Sequence, residues 1–249
     1  MARYQVILTY DGTDFYGFQR QAKSSRSRTV QGVFELALKH LGWQERSILS
    51  AGRTDTGVHA CGQVVAFDLD WDHSPDELRA ALNAVLPPDV AVREVYPTDP
   101  DFHPRYDAVA RRYRYQIFCQ PVRDPLRERF AWRVWPEAQL ERMQDAAVHL
   151  LGSHDFSSFG SSPRTGGRTV RDVYQAVWKT EQENLVFEIV ANAFLFRMVR
   201  RLVSIQVSIG QGALEPDVVL NYLENRSPSF VKGLAPPQGL TLMEVVYSA

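Results

Sequence analysis

Apolar residues alternate with polar ones in some stretches of the chain and recur every three to four positions in others. The two spacings separate strands from helices. Tyr4 to Tyr10 reads as a strand, and Val30 to Leu41 as a helix with Thr29 placed to cap it. Gln63 to Leu69 reads as a strand with Val65, Phe67 and Leu69 on one face. Ser74-Pro75-Asp76-Glu77 predicts a helix start: a serine cap, proline at the first position and glutamate three residues after the cap. That helix runs to about Val85 and stops before Pro87-Pro88. Val90 to Tyr96 is another strand, followed by a loop rich in proline and aspartate, Pro97 to Pro104. The loop predicts a division into domains 1–104 and 105–249.

The second half has a similar order. Asp107 to Cys119 alternates like a long strand, Pro136 to Leu151 reads as a helix closed by Gly152, and Arg171 to Thr180 with Asn184 to Ala191 reads as a hairpin. Leu195 to Ile209 reads as a helix ending at Gly210, and Leu242 to Tyr247 as a final strand. Strands and helices mix without strict βαβ spacing, which predicts an α+β fold rather than a doubly wound sheet. Gln21 to Arg28 and Ser157 to Arg168 are rich in Ser, Gly and Arg and read as mobile loops.

Composition narrows the class. With 249 residues, 45% of them hydrophobic and 23% charged, the chain suits an ordinary globular protein of one large or two modest domains. No apolar run reaches the roughly 18 residues that a membrane helix needs. Met1-Ala2-Arg3-Tyr4 leads straight into a strand pattern and not into a signal peptide, so a cytoplasmic location is expected. Cys61 and Cys119 have no metal-ligand or redox spacing and are expected to be free thiols.

The formal net charge of −1 does not announce a nucleic-acid binder, but its distribution adds something. Of 28 basic residues only Lys23, Lys39, Lys179 and Lys232 are lysines. Arginines gather at Arg20 to Arg28, Arg105 to Arg114, Arg164 to Arg171 and Arg197 to Arg201. Arginine contacts phosphate bidentately and stacks on bases. Clusters alone fit phosphate contact and plain surface charge equally.

The stretch Ala51-Gly52-Arg53-Thr54-Asp55-Thr56-Gly57-Val58-His59-Ala60 precedes a strand, and its two glycines permit a tight backbone around Asp55. A carboxylate between small residues on such a loop fits a reactive group, and fits equally a surface turn held by an aspartate side chain. On the helix from Leu195, the residues Leu195, Met198, Val199, Leu202 and Ile209 form one apolar stripe. Arg200 lies off it, but its helical neighbours Phe196, Val203 and Val207 are apolar too, which predicts a buried arginine. Arg197 and Arg201 fall on the remaining polar face.

Gly52 to Ala60, followed by Gln63-Val64, resembles the active-site motif of the tRNA pseudouridine synthase A family. The resemblance extends through Tyr10-Asp11-Gly12-Thr13 with Gly17-Phe18-Gln19, Leu86-Pro87 with Asp89, and Arg111 to Tyr115. It continues through Leu150-Leu151-Gly152 with His154-Asp155-Phe156, Asn192 to Leu195 with Met198-Val199-Arg200, and Gly239-Leu240 with Leu242. Ordered matches along nearly the whole chain are far more specific than one short motif. Two positions depart from the family's usual residues: Pro104 stands where alanine is common, and Ser204 where glycine is common.

The resemblance implies a pseudouridine synthase fold: two α/β halves with mixed, largely antiparallel sheets flanked by helices, and an active-site cleft between them. It implies isomerisation of uridines 38, 39 and 40 in the anticodon arm of tRNA, by a homodimer and without a cofactor or metal. Asp55 matches the family's nucleophile, Arg200 a cation beside it, and Tyr113 a ring that stacks on the extruded uracil and can take a proton from it. A carboxylate in a dry site tends to take up a proton, and a neighbouring cation opposes that. Arg53, Arg164, Arg168, Arg197 and Arg201, together with Tyr113, are the candidate substrate-binding residues. His59 reads as packing or a hydrogen bond near Asp55, Tyr115 as core, and Phe15, Tyr16 and Phe18 as core rather than an RNA-stacking group.

Three rivals remain on the sequence. Asp55-Thr56-Gly57 spells the short motif of aspartic proteases, but that site needs two such aspartates and the chain has a single copy. A zinc RNA deaminase needs His-x-Glu and Cys-x-x-Cys, and both are absent. A non-catalytic tRNA- or RNA-binding protein is the rival that predicts binding without change in the RNA.

Overall fold

The computed structural model describes residues 1–21, 28–163, 166–224 and 231–248. In chain order the elements are β1 (Ala2–Tyr10), α1 (Val30–His40), β2 (Leu49–Ser50), β3 (His59–Leu69), α2 (Pro75–Val85), β4 (Val90–Thr98) and β5 (Ala108–Cys119). They continue with β6 (Trp132–Val134), α3 (Leu140–Val148), β7 (Gly152–Asp155), β8 (Val170–Glu181), β9 (Asn184–Ala191), α4 (Met198–Gly210), α5 (Val218–Glu224) and β10 (Leu240–Tyr247). The mix of antiparallel strands and helices is an α+β fold.

Contacts divide the chain into one unit of Met1–Val109 with Leu242–Ala249, and another of Ala110–Thr241. The sequence reading placed 105–249 whole in the second domain. The last strand instead returns to the first unit, where β10 lies beside β3. Long-range strand pairing of this kind leaves no local signature, because the periodicity of a strand says nothing about its partner.

In the first unit β1 runs between β3 and β4, antiparallel to both, with Val6 opposite Val65 on one side and Val95 on the other. The strand's alternation is strict: Tyr4, Val6, Leu8 and Tyr10 are buried and the residues between them are not. The helix α2 begins as its sequence dictates. The Ser74 hydroxyl accepts from Glu77 N, and the Glu77 carboxylate accepts from Ser74 N at 2.9 Å. Donation from Ser74 N, and from Ser74 Oγ at 2.8 Å, holds the Glu77 carboxyl below the usual carboxylate range. In β3 the face of Val65, Phe67 and Leu69 is buried, and so are Val64 and Ala66, so both faces are covered.

In the second unit β9 runs between β5 and β8, antiparallel to both, and β7 pairs antiparallel with β8. The three-residue β6 runs parallel to its neighbour β5. The core joins the stacked rings of Trp178 and Phe187, 5.1 Å apart, to Met143 of α3 and Leu202 of α4. Trp178 Nε1 donates to the buried Gln206 Oε1 at 2.9 Å, which satisfies both polar groups. Helix α3 is shorter than its apolar pattern predicts. At its start Gln139 N donates to Gly210 O, and at its end Leu150 N and Leu151 N reach back three residues rather than four, before Gly152 turns left-handed at φ 95°.

One loop expectation changes. Ser157 to Gly160 is not loose: Ser158 and Phe159 are fully buried, and Ser158 Oγ donates to Tyr222 O at 3.0 Å. Within Gln21 to Arg28, residues 22–27 lie outside the described residues, as does Arg164. No helix of the described residues is long and apolar enough to cross a membrane. Cys61 and Cys119 are free.

Candidate active site

Asp55 sits half-buried on the loop between β2 and β3. That loop lies against a second one, Asp11 to Phe18, and main-chain bonds knit the two together. Phe18 N donates to Thr54 O at 3.1 Å and Gly57 N to Phe15 O at 3.3 Å, while Val58 N turns back to Asp55 O at 3.1 Å. Backbones can approach this closely only where Cβ atoms are missing. A Cβ on Gly12 would sit 2.1 Å from Val58 O, and one on Gly17, at φ 87°, would sit 2.9 Å from Thr54 O. Gly57 supplies a left-handed turn at φ 76° just after the aspartate.

Buried side chains hold the same loop from below. Tyr10 Oη and Thr54 Oγ1 share a hydrogen bond of 2.9 Å, and Gln63 Nε2 donates to Gly52 O at 3.1 Å. Burial pushes the Tyr10 hydroxyl up to about 12, so it stays a neutral hydrogen-bonding group. His59 is buried as well; its Nδ1 accepts from Gly12 N at 3.0 Å and lies 3.1 Å from Asp11 Oδ1. It fastens the two loops, in line with the hydrogen-bond reading. Arg28 grips Asp89 with bonds of 2.6 and 2.8 Å and stands 4.1 Å over the Phe15 ring, so this arginine of the first cluster is committed to structure. Arg53 is exposed. Phe15 and Phe18 are core, whereas Tyr16 is exposed, against the expectation for that ring.

The second unit carries Tyr113 and Arg200. Tyr113 lies on β5, opposite Ile189 of β9, and is half-buried. Along β5, Tyr115 and Ile117 are buried whereas Val109 is exposed. Tyr115 is core, and its hydroxyl donates to Pro236 O at 2.7 Å. Phe194 packs edge-on against Tyr113 with ring centroids 5.0 Å apart, a contact the sequence did not suggest. Phe194 belongs to a strap, residues 192–197, that leads into α4. Asn192 anchors it through Asp172 Oδ2 at 2.7 Å, and Arg111 Nη1 donates to Asn192 O at 2.8 Å.

Helix α4 starts at Met198, not at Leu195, because Arg197 takes a left-handed conformation at φ 63°. The apolar spacing continues through the strap, so periodicity alone overran the boundary. Phe196, counted among the apolar neighbours of Arg200, is exposed and outside the helix. Arg200 is nonetheless buried, at 8% exposure, between Val199, Leu202 and Val203, and its Nε donates to Ala235 O at 2.7 Å. Burial pushes the Tyr115 hydroxyl well above its ordinary range, and the Arg200 charge offsets part of that. Arg201 is half-buried and reaches Phe159 O at 3.3 Å, and Arg197 is exposed over the Phe196 ring. In the remaining cluster Arg168 is exposed. Arg171 turns its Nη1 onto the carbonyls of Arg168 and Val170, and burial lowers its basicity.

Residues 6–107 and 146–248 match the protein family described as tRNA pseudouridine synthase. The chain belongs to that family. It is a member of a group of tRNA-modifying isomerases, and its relatives match it from end to end. A tRNA pseudouridine synthase A of Thermoanaerobacter sp. (strain X514) is 35% identical over 99% of this chain and 100% of its own length. The protein of that name from Limosilactobacillus fermentum is 37% identical over 100% of this chain and 97% of its own. The one from Pseudothermotoga lettingae is 39% identical over 98% and 99%. Among the described residues no group of three or more His, Cys, Asp or Glu side chains gathers as a metal site.

Proposed function

We propose that the chain isomerises uridines 38, 39 and 40 in the anticodon arm of tRNA, with Asp55 as the nucleophile. The observation that carries this reading is the end-to-end similarity to tRNA pseudouridine synthase A proteins. The rigid setting of Asp55 agrees with it, since a nucleophile gains most from a fixed position. In the reaction the glycosidic C–N bond breaks, the uracil turns, and a C–C bond forms to the same sugar. No atom or electron is gained or lost overall, so the reading calls for no cofactor. The Asp55 carboxylate forms the transient adduct with base or sugar. Arg200 supplies the positive charge that balances it, and Tyr113 stacks on the extruded uracil and can take its proton. Arg53, Arg168, Arg197 and Arg201 are assigned to the RNA, and Arg164 joins them from outside the described residues. The same reading places the protein in the cytoplasm as a homodimer.

The test is positional. Unmodified tRNA transcripts retaining a single uridine at 38, 39 or 40 are incubated with the purified protein, and pseudouridine is mapped. Conversion at these positions is expected; conversion confined to other positions overturns the site assignment. Binding without conversion favours an RNA-binding protein that does no chemistry.

A further inference from the structure

Phe196 is held in place and left uncovered. Its backbone N donates to Ser161 O at 3.0 Å, and the two residues form a bridge. Gly160 lies so close beneath that a Cβ there would meet Phe196 O at 2.8 Å and Leu195 Cβ at 2.7 Å. The main chain is therefore clamped, yet the ring remains 50% exposed. The Arg197 guanidinium stands 4.8 Å from the centroid of that ring. Arg197 also holds a left-handed backbone at φ 63°, ψ 9°, where glycine would rest without strain. A non-glycine residue kept in that conformation points to a side chain with a task.

We propose that Phe196 and Arg197 form a stacking platform for an unpaired RNA base, the ring taking the base face and the guanidinium the adjoining phosphate. The proposal rests on the tRNA reading above. An isolated aromatic ring paired with a cation suits a polyanion whose units carry π-faces. A protein partner would call instead for a broad apolar patch, and the residues beside the ring, Ser161 and Arg197, are polar. The strap also fixes which base is meant. Phe194 touches Tyr113, and Phe196 follows two residues later, so their Cα atoms are at most about 7 Å apart. The platform takes the nucleotide next to the one stacked on Tyr113.

The experiment uses anticodon-arm RNA with 2-aminopurine beside a target uridine, whose fluorescence falls when the base stacks on an aromatic ring. The wild-type protein is expected to quench it. Phe196→Leu should lose most of the quench and weaken binding about tenfold, and Phe196→Trp should restore both. Arg197→Gly should weaken binding while the melting temperature rises by about 2–4 °C, because glycine relieves the left-handed strain. Unchanged quench and affinity in Phe196→Leu overturn the platform, and a lower melting temperature in Arg197→Gly overturns the strain argument. Pseudouridine formation by the wild type is scored on the same RNA. Conversion with no loss in Phe196→Leu defeats the platform alone, whereas neither binding nor conversion by the wild type defeats the tRNA reading with it.

Discussion

The loop that carries Asp55 and the strap that carries Phe194, Phe196 and Arg197 present different groups on a clamped main chain. Around Asp55 the contacts are main chain to main chain, made possible by Gly12 and Gly17, and the buried supports Tyr10, Thr54 and Gln63 are neutral. In the second unit the main chain of the strap is also clamped, by Phe196 N on Ser161 O, but the contacts beyond it are made by long side chains: a ring against Tyr113, an arginine over Phe196, and a buried guanidinium on Ala235 O. Backbone contacts fix a point in space with little freedom, and long side chains reach toward something that arrives. The first arrangement suits a nucleophile and the second suits groups that receive a base.

Substitutions can separate the two. The largest effect belongs to Asp55→Asn, which keeps the shape of the loop and removes the proposed nucleophile. Turnover should fall on the order of 10⁴-fold or more while tRNA binding stays near wild type. Retention of most activity in that variant removes Asp55 from the role. Next comes Arg200→Met, expected to lower kcat by about 10²–10³-fold, whereas Arg201→Met should act mainly on KM. Equal losses of kcat in the two would show that burial of Arg200 has no bearing on the chemistry.

The glycine contacts give a smaller and purely positional effect. Gly12→Ala forces a Cβ onto Val58 O and should cost roughly 1–3 kcal/mol in thermal melts, with turnover falling about 10–100-fold. Gly52→Ala, on the same loop as Asp55, meets nothing within 4 Å and should stay within about 0.5 kcal/mol of wild type. Matching losses in both would mean that close backbone approach does not hold Asp55. The smallest effect concerns salt. Arg168→Gln should make the log–log salt dependence of tRNA affinity shallower by about 0.7–0.9, the share of one phosphate. Arg171→Gln should leave it unchanged, because that guanidinium is turned onto backbone carbonyls. A shallower slope in Arg171→Gln would return it to the phosphate contacts.

Local chemistry was legible in the sequence where it is complete within a few residues. Ser74, Pro75 and Glu77 announced α2 because the capping box lies within one turn. The burial of Arg200 followed from the apolar residues around it on α4, although one of them, Phe196, proved to be outside the helix. The start of α4 was missed because a left-handed arginine leaves no mark in periodicity. β2, β6 and β7 are too short to carry an alternation, and the return of β10 to the first unit depends on pairing rather than pattern. The supports of Asp55 were half visible. Tyr10, Thr54 and Gln63 stand in the motifs that carried the resemblance, but their hydrogen bonds join residues far apart in the chain.

A pseudouridine synthase should turn uridine into pseudouridine with no other component present. Purified protein is incubated with unmodified tRNA transcript in buffer without added cofactor; because pseudouridine has the same mass as uridine, it is marked by cyanoethylation, which adds mass, before the digested products are resolved. The wild type should accumulate pseudouridine over many turnovers per enzyme, and Asp55→Asn should accumulate none. Transcript that stays all uridine with the folded wild-type protein, or equal pseudouridine from both proteins, would contradict the account.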